Sequence, residues 1–240
     1  MKNKSTFTYK LKGKLEQLIN LKINDKVFIP TATSDFLIKA SLKAIEKPGY
    51  LLDLGCGNGI VGISLYLNDS VYKLFASDLS KDAIKLTKEN LSRFEIEAEV
   101  KCSDKFQLWN NFKFDYIIND VSGVAEEIGK YSTWFKNVPN NSGYDGTKHV
   151  INIIRESNKY LNENGKLIFP IISLSNVDLI LESAKDHFNT VNELSSNEWF
   201  LPDELAYQMN VLKKLKDDKA INYEEKFGKI ICYTKIFEAF

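Results

Sequence analysis

The segment LLDLGCGNGIVG, residues 51–62, holds the residues whose types and spacing most favour ligand chemistry. Asp53 stands two positions before Gly55, and Gly57 and Gly59 follow at alternate positions. Glycines in such a turn tolerate positive φ and leave backbone N–H groups open to polar or anionic groups. A dinucleotide site would show the order G-x-G-x-x-G instead. The order D-x-G-x-G-x-G therefore favours a ligand without a pyrophosphate.

Further polar residues follow the next three predicted strands. Asp78 lies about 20 residues beyond the glycines, a spacing at which an acid can receive both hydroxyls of a ribose. Asp78 could alternatively cap the following helix, although Ser80 and Asp82 compete for that role. The pair Ser103-Asp104 ends the next predicted strand, and residues 119–122, Asn-Asp-Val-Ser, end the one after it. Each of these positions is therefore a candidate ligand contact.

The motif DLGCGNG, residues 53–59, resembles the first motif of class I S-adenosylmethionine (SAM)-dependent methyltransferases. The resemblance covers roughly residues 27–175. It implies SAM as the cofactor, with Asp53 accepting hydrogen bonds, directly or through water, from the cationic amino-acid end of SAM. It also implies that Asp78 binds the ribose. The remaining implied cofactor contacts are Gly55, Gly57, Gly59, Leu79 on the adenine face, Ser103 and Asp104 at the adenine amino group, and Asn119.

Two flanking segments resemble a narrower group within this class. VFIPTATSDFLI, residues 27–38, is similar to the segment before the first motif in enzymes that modify release-factor glutamines, ribosomal proteins or adenine amino groups. Residues 142–171, which begin SGYDG, resemble the G-x-DG helix and strand of the release-factor glutamine group. Alternatively, this second segment is a loop and helix shared by many relatives, without catalytic content.

The fourth strand departs from that group's pattern. Its members carry Asn-Pro-Pro-Tyr or Asp-Pro-Pro-Tyr, which grips a planar NH2 group, whereas this chain carries Asn119-Asp120-Val121-Ser122. Only Asn119 matches, which puts planar amide and adenine amino acceptors in doubt. Asp120 could act as a general base or hold an ammonium or hydroxyl, and Ser122 could add a hydrogen bond. Alternatively, Asp120 caps a helix that starts near Val124.

These observations favour an enzyme that transfers methyl from SAM to a small molecule or to a side chain of a small partner. Three alternatives remain open. The first is a SAM-consuming enzyme that releases methylthioadenosine by cyclisation or aminocarboxypropyl transfer, and the second is a non-catalytic SAM-binding protein. The third is an RNA or ribosomal-component methyltransferase. It is disfavoured because 32 basic and 32 acidic residues give a formal net charge of zero, although residues 2–26 are rich in lysine.

The elements around these residues predict an α/β fold. Its core is a Rossmann-like, seven-stranded, mostly parallel sheet with helices on both faces. Residues 1–30 are predicted to be an N-terminal extension, with an amphipathic helix through Leu15, Leu18, Ile19 and Leu21, and residues 31–240 the SAM-binding domain. Strands are expected at 50–54, 74–77, 98–103, 114–119, 165–173, 190–194 and 229–236. Helices are expected after an N-cap at Ser34, from about Ile60, and over 82–92, 147–161 and 177–188.

Composition and segment patterns limit the remaining possibilities. Three widely spaced cysteines predict neither a zinc site nor a disulfide framework, and no metal is expected. The charged N-terminus and the absence of a long apolar run predict a cytoplasmic protein without a membrane segment. The loop holding Tyr131, Trp134, Phe135 and Tyr144 is either a substrate lid or a segment whose rings only pack it down. The acceptor and the oligomeric state are not specified by the sequence.

Overall fold

The computed structural model describes residues 5–14 and 16–240, which fall into two compact units. The first unit lies within residues 1–120 and 159–168, and the second comprises residues 121–158 and 169–240. The first unit contains residues on both sides of the boundary expected at residue 30, so the two predicted domains stay a prediction.

The chain begins with a β-hairpin where a helix was predicted. Strands β1 (Thr6–Lys12) and β2 (Glu16–Lys22) pair antiparallel. Along β2, Ile19 and Leu21 are fully buried while Leu18 remains 62% exposed, a period of two that only a strand gives. The predicted helix is therefore wrong over residues 16–22, and Leu15 lies outside the described residues.

The first unit continues with five parallel strands and their connecting helices. The strand order is β5-β4-β3-β6-β7, and each neighbouring pair is parallel. The elements are α1 (Ala32–Ala44), β3 (Gly49–Leu54), α2 (Ile60–Leu67), β4 (Val71–Asp78), α3 (Lys81–Arg93), β5 (Ala98–Cys102), β6 (Phe114–Asn119) and β7 (Leu161–Ile172). The carboxyl ends of β3, β4, β5 and β6 therefore meet at one edge of the sheet.

Local sequence explains where these elements start. In β3, Leu51 and Leu52 are completely buried, as expected for a central parallel strand covered on both faces. Helix α1 begins earlier than predicted, because Thr31 rather than Ser34 is its N-cap and accepts from the Thr33 N–H at 3.3 Å. The cap predicted at Ser34 is therefore wrong, and the Ser34 side chain is left for another role.

The second unit takes up the end of β7 and the remaining elements. They are α4 (Glu126–Tyr131), a 3-10 turn (Thr133–Phe135), α5 (Lys148–Ser157), α6 (Val177–His187), β8 (Val191–Phe200), α7 (Asp203–Ala206), α8 (Met209–Asp217), β9 (Glu224–Lys226) and β10 (Lys229–Ala239). Strand β10 pairs antiparallel with β8 and β9. A buried cluster that includes Leu205, Leu212 and Cys232 forms the core of the second unit.

The α/β class with a mostly parallel, Rossmann-like sheet is confirmed. Strands β3 to β8 and β10 account for the seven predicted strands, and β9 adds a three-residue strand. Helix α5 ends at Ser157, earlier than predicted, because the chain already enters β7 at Leu161. Within the described residues, no helix has the length and apolar character to cross a membrane, and no three His, Cys, Asp or Glu side chains group as metal ligands.

Candidate functional site

The three motif glycines form the turn between β3 and α2. Gly55, Gly57 and Gly59 have φ values of 80°, 54° and 85°, in the left-handed region that glycine adopts without strain. A Cβ added at Gly57 would meet nothing within 4 Å, so the turn is open on that side. A Cβ at Gly59 would come within 3.3 Å of Thr87. The turn is thus open to a ligand at Gly57 and packed against α3 at Gly59.

Asp53, at the end of β3, is buried with one oxygen unused. Its Oδ2 accepts the Gly62 N–H at 2.9 Å, while Oδ1 is buried and has no partner among the described residues. Burial raises the pKa of Asp53 to about 7, against the opposing effect of the Gly62 N–H. The negative charges of Asp120 and Asp78 raise that pKa further. An oxygen in this state can accept a hydrogen bond from a cationic ligand.

Asp78 holds the glycine turn from the end of β4. Its Oδ2 accepts the Gly57 N–H at 3.0 Å and its Oδ1 accepts the Ser80 N–H at 2.8 Å. Burial raises the pKa of Asp78 even though these hydrogen bonds oppose the rise. Helix α3 is capped by Ser80, whose Oγ accepts the Ala83 N–H. Asp78 is therefore not the N-cap of α3.

Asp120 follows β6 and receives a hydrogen bond that the sequence did not indicate. The Ser34 hydroxyl donates to Asp120 Oδ2 at 2.8 Å, although the two residues are 86 positions apart. Burial raises the pKa of Asp120 to about 6, and the Ser34 hydroxyl opposes that rise. Asp120 does not cap the next helix, because α4 has Ala125 as its N-cap without a side-chain bond.

Asp53, Asp78 and Asp120 together form a negatively charged group within the first unit. The pKa of each is raised chiefly by burial, and those of Asp53 and of the buried Cys56 thiol are raised further by neighbouring carboxylates. A bound cation would offset this repulsion, so the group suits a ligand with a positively charged end.

The adenine contacts expected from the sequence lie at the ends of β4, β5 and β6. Leu79 is 71% exposed, which excludes a core role and leaves its apolar face available. Ser103 is buried, and its N–H donates to Asp78 O at 3.0 Å. Asp104 pairs with Lys105 at 2.9 Å, and Asn119 is fully buried beside Leu54 of β3. The proposed contacts of these residues with a nucleoside stay predictions.

Ser122 and the aromatic loop belong to the second unit. The Ser122 hydroxyl donates to Asn140 Oδ1 at 2.6 Å. Trp134 lies edge-on to Trp199 at 5.9 Å between ring centroids, and Phe135 packs with them against the buried cluster of this unit. Trp134 and Phe135 thus pack the loop down, whereas Tyr131 and Tyr144 are exposed and the Tyr144 hydroxyl donates to Asp218.

A cavity of about 460 Å³ lies at the opposite ends of β3 and β4 from the glycine turn. Its lining includes Lys12, Lys14, Lys39 and Lys43. Glu46, Asp69 and the carboxyl ends of α1 and α2 line the same cavity. Because helix carboxyl ends carry partial negative charge, they and the two acids offset part of the positive charge of the lysines.

Comparisons with known proteins identify the family to which this sequence is similar. The profile of the methyltransferase small domain family matches residues 30–201. A release factor glutamine methyltransferase of Aquifex aeolicus is 24% identical over 164 residues, covering 62% of this chain and 56% of the relative. One of Clostridium botulinum is 26% identical over 185 residues, covering 71% of this chain and 64% of the relative. The chain thus spans less than two thirds of the length of these curated relatives.

Solved structures share the fold. A T. thermophilus 16S rRNA N2 G1207 methyltransferase, solved in complex with AdoMet and guanosine, superposes with a TM-score of 0.59 at 13% identity. The match covers 98% of this chain and 49% of that chain. At such low identity the likeness concerns the fold alone.

Proposed function

Because this chain belongs to the methyltransferase small domain family, a group of class I SAM-dependent methyltransferases, we propose that it transfers a methyl group from SAM to a small molecule or to a side chain of a small partner. The observation that carries the proposal is the buried Asp53 oxygen without a partner, next to a glycine turn that is open at Gly57. A buried acceptor of this kind is costly unless a ligand supplies the missing donor.

The hydrogen-bonding groups of this site fit SAM. Asp53 accepts from the ammonium of the amino-acid end, the turn at Gly55, Gly57 and Gly59 lies along the ligand, and Asp78 accepts from the ribose hydroxyls. The remaining contacts proposed for the adenine and its surroundings are Leu79, Ser103, Asp104 and Asn119. When bound, SAM supplies a methyl group on a positively charged sulfur, which makes that methyl electrophilic.

Asp120 is the proposed base. Methyl transfer forms a bond from the acceptor atom to the methyl carbon, breaks the bond to sulfur and leaves S-adenosylhomocysteine. The acceptor then holds a proton that must be removed, and a carboxylate with a pKa of about 6 can take it near neutral pH. The Ser34 hydroxyl orients Asp120 through Oδ2 and leaves the other oxygen for the acceptor. In this role an amine or hydroxyl acceptor fits better than a planar amide.

A glutamine side chain of a protein is the second candidate acceptor. It is supported by Asn119, which stands at the first position of the amide-binding motif, and by the names of the curated relatives. Assaying the purified protein with a bacterial release factor and, separately, with size-fractionated small molecules from a cell extract distinguishes the two acceptors. Methyl incorporation into the release factor would support the glutamine acceptor and contradict the proposal of an amine or hydroxyl acceptor.

The decisive variant is Asp120→Asn. Loss of the base should lower turnover by about 100-fold or more, while affinity for S-adenosylhomocysteine stays within about threefold of wild type. Turnover is measured with methyl-labelled SAM, and affinity by calorimetry. Asp82→Asn, an exposed carboxylate in the first turn of α3, is the matched control and should leave both values unchanged.

The product identifies the reaction class. Release of methylthioadenosine instead of S-adenosylhomocysteine would overturn methyl transfer in favour of another SAM-consuming reaction. Binding of SAM without turnover on any extract fraction would favour a non-catalytic binding protein. A wild-type protein with no affinity for either nucleoside would contradict the cofactor assignment itself.

A further inference from the structure

Asn90 is a fully buried polar residue on α3 whose side chain joins two distant parts of the first unit. Its Oδ1 accepts the Lys22 N–H at 2.8 Å, and its Nδ2 donates to Lys22 O at 3.1 Å. The same Nδ2 also donates to Asn58 O in the glycine turn, at 2.9 Å. One carboxamide thus uses its oxygen and both amide hydrogens to connect β2 with the turn between β3 and α2.

Thr87 lies one helical turn before Asn90 and contacts the same glycine turn. Its hydroxyl donates to Gly57 O at 2.9 Å, and the residue is 1% exposed. Residues three apart on a helix share a face, so both side chains project from the buried side of α3. Two consecutive carbonyls of the turn, those of Gly57 and Asn58, are therefore fixed towards α3.

Fixing these carbonyls also orients the amide N–H groups. In a trans peptide the C=O and the following N–H point in opposite directions, so holding Gly57 O against α3 turns the Asn58 N–H away from that helix. That N–H has no acceptor among the described residues. It stands in the turn whose Gly57 faces open space. The hydrogen bonds from α3 therefore set the direction of this N–H within the turn.

The hairpin is anchored independently of this contact. Tyr9, Leu11, Ile19 and Leu21 are buried, and the Tyr9 hydroxyl donates to Asp35 of α1 at 3.0 Å. The hairpin is thus a firmly attached element, and it can act as a fixed support for the Asn90 side chain.

We propose that Asn90 is a positioning residue for the cofactor turn, and that the N-terminal hairpin supports the turn through it. The inference rests on the proposed SAM site. Asn90 does not touch the nucleoside; it holds Asn58 O, and through it the peptide groups that line the ligand. Thr87 fixes the neighbouring carbonyl in the same way.

The test compares Asn90→Ala with Lys22→Ala. Asn90→Ala removes all three hydrogen bonds, and the affinity for S-adenosylhomocysteine should fall by about tenfold, the effect of one or two lost buried bonds. Hydrogen exchange of the turn peptide covering residues 55–60 should accelerate in the ligand-free protein. Lys22→Ala removes only the exposed ion pair with Glu89 and keeps the Lys22 backbone bonds to Asn90. It should change neither value.

A second variant keeps the inference testable if Asn90→Ala does not fold. Thr87→Val preserves shape and removes one donor, and should weaken S-adenosylhomocysteine binding by about threefold to tenfold. A folded Asn90→Ala protein with wild-type affinity and wild-type exchange of the turn would overturn the inference. Failure of the wild-type protein to bind the nucleoside would instead overturn the proposed function, and the exchange measurement would still report on the Asn90 contact.

Discussion

At the scale of single residues, the proposed contact between Asp53 and the cofactor should make cofactor binding depend on pH. Asp53 must be ionised to accept from an ammonium, and its pKa of about 7 leaves much of it protonated in the free protein below neutral pH. Asp120, with a pKa of about 6, adds to the effect at lower pH. Binding of a cation should therefore release protons.

SAM affinity should accordingly tighten by about tenfold between pH 6 and pH 8, the change that one linked proton with this pKa gives. Asp53→Asn should bind more weakly at pH 8 and lose most of this dependence. Calorimetry in two buffers of different ionisation enthalpy measures both the affinity and the proton release. A dissociation constant that is flat from pH 6 to pH 8 in the wild type would show that Asp53 does not face the ligand.

Several residues of the candidate site could be identified from the sequence because their signal is local, and their contacts with the cofactor stay predictions. Asp53 and the glycines are readable within seven positions, and Asp78 follows at a fixed distance after one helix. Ser34 and Asn90 could not be predicted, since their partners lie 86 and 68 positions away along the chain. Only the fold brings those pairs together. The available hint was a pair of polar residues, Thr87 and Asn90, on the apolar face of α3.

At the scale of elements, the hairpin turn depends on a close approach between Gly13 and Asn68. A Cβ added at Gly13 would lie 1.9 Å from Asn68 Oδ1, the atom that accepts the Lys14 N–H at 2.6 Å. Gly13→Ala should therefore break this bond and lower the free energy of unfolding by about 1–3 kcal/mol. Urea unfolding followed by circular dichroism measures the loss.

A double-variant cycle checks the cause. Asn68→Ala removes the obstructing amide, so Gly13→Ala should cost much less when introduced into Asn68→Ala than into the wild type. An equal cost in both backgrounds would mean that backbone conformation, and not the contact with Asn68, requires glycine at this position.

Elements whose apolar residues fit one structural pattern could be predicted from the sequence, and those that fit both a helix and a strand could not. Strand β6 has its predicted bounds of Phe114–Asn119, because a short apolar run between polar residues gives a single reading. Strand β2 was misread because Leu18, Ile19 and Leu21 fit both a helical stripe and an alternation. The burial of Ile19 and Leu21 decides between the two readings, and it depends on the packing of β2 against distant elements such as α3, which is not visible locally.

At the scale of the whole molecule, equal numbers of acidic and basic residues coexist with a strongly acidic site. The buried carboxylates also affect the free energy of unfolding. Because the pKa of Asp53 is raised from 3.8 to about 7, the folded protein binds more protons than the unfolded chain between these values. The contribution of Asp53 to stability is therefore most favourable below about pH 4 and declines as pH rises to about 7.

Asp53→Asn should remove this decline. Between pH 4 and pH 8 the unfolding free energy of the wild type should fall relative to that of the variant, by up to about 4 kcal/mol for a shift of this size. Urea titrations of both proteins at the two pH values, without nucleoside, measure the difference. A relative change of the opposite sign would mean that Asp53 is stabilised as an anion in the ligand-free fold.

The α/β architecture could be predicted from the alternation of strands and helices along the sequence. The division of the chain into two compact units could not. The family profile covers residues 30–201, which include parts of both compact units. The first unit draws on residues 159–168 as well as on the N-terminal half. Such boundaries depend on three-dimensional contacts between distant segments.

The three hydrogen bonds of Asn90 bear on what counts as the smallest autonomous fragment of this protein. A chain trimmed to begin at residue 31 would keep nearly the whole profile match of residues 30–201, yet it would leave a buried carboxamide with its oxygen and one hydrogen unsatisfied. The apolar surface now covered by Leu11, Ile19 and Leu21 would also be laid bare. The strands Thr6–Lys12 and Glu16–Lys22 are thus an integral part of the first unit, and the family motifs alone would misjudge where that unit begins.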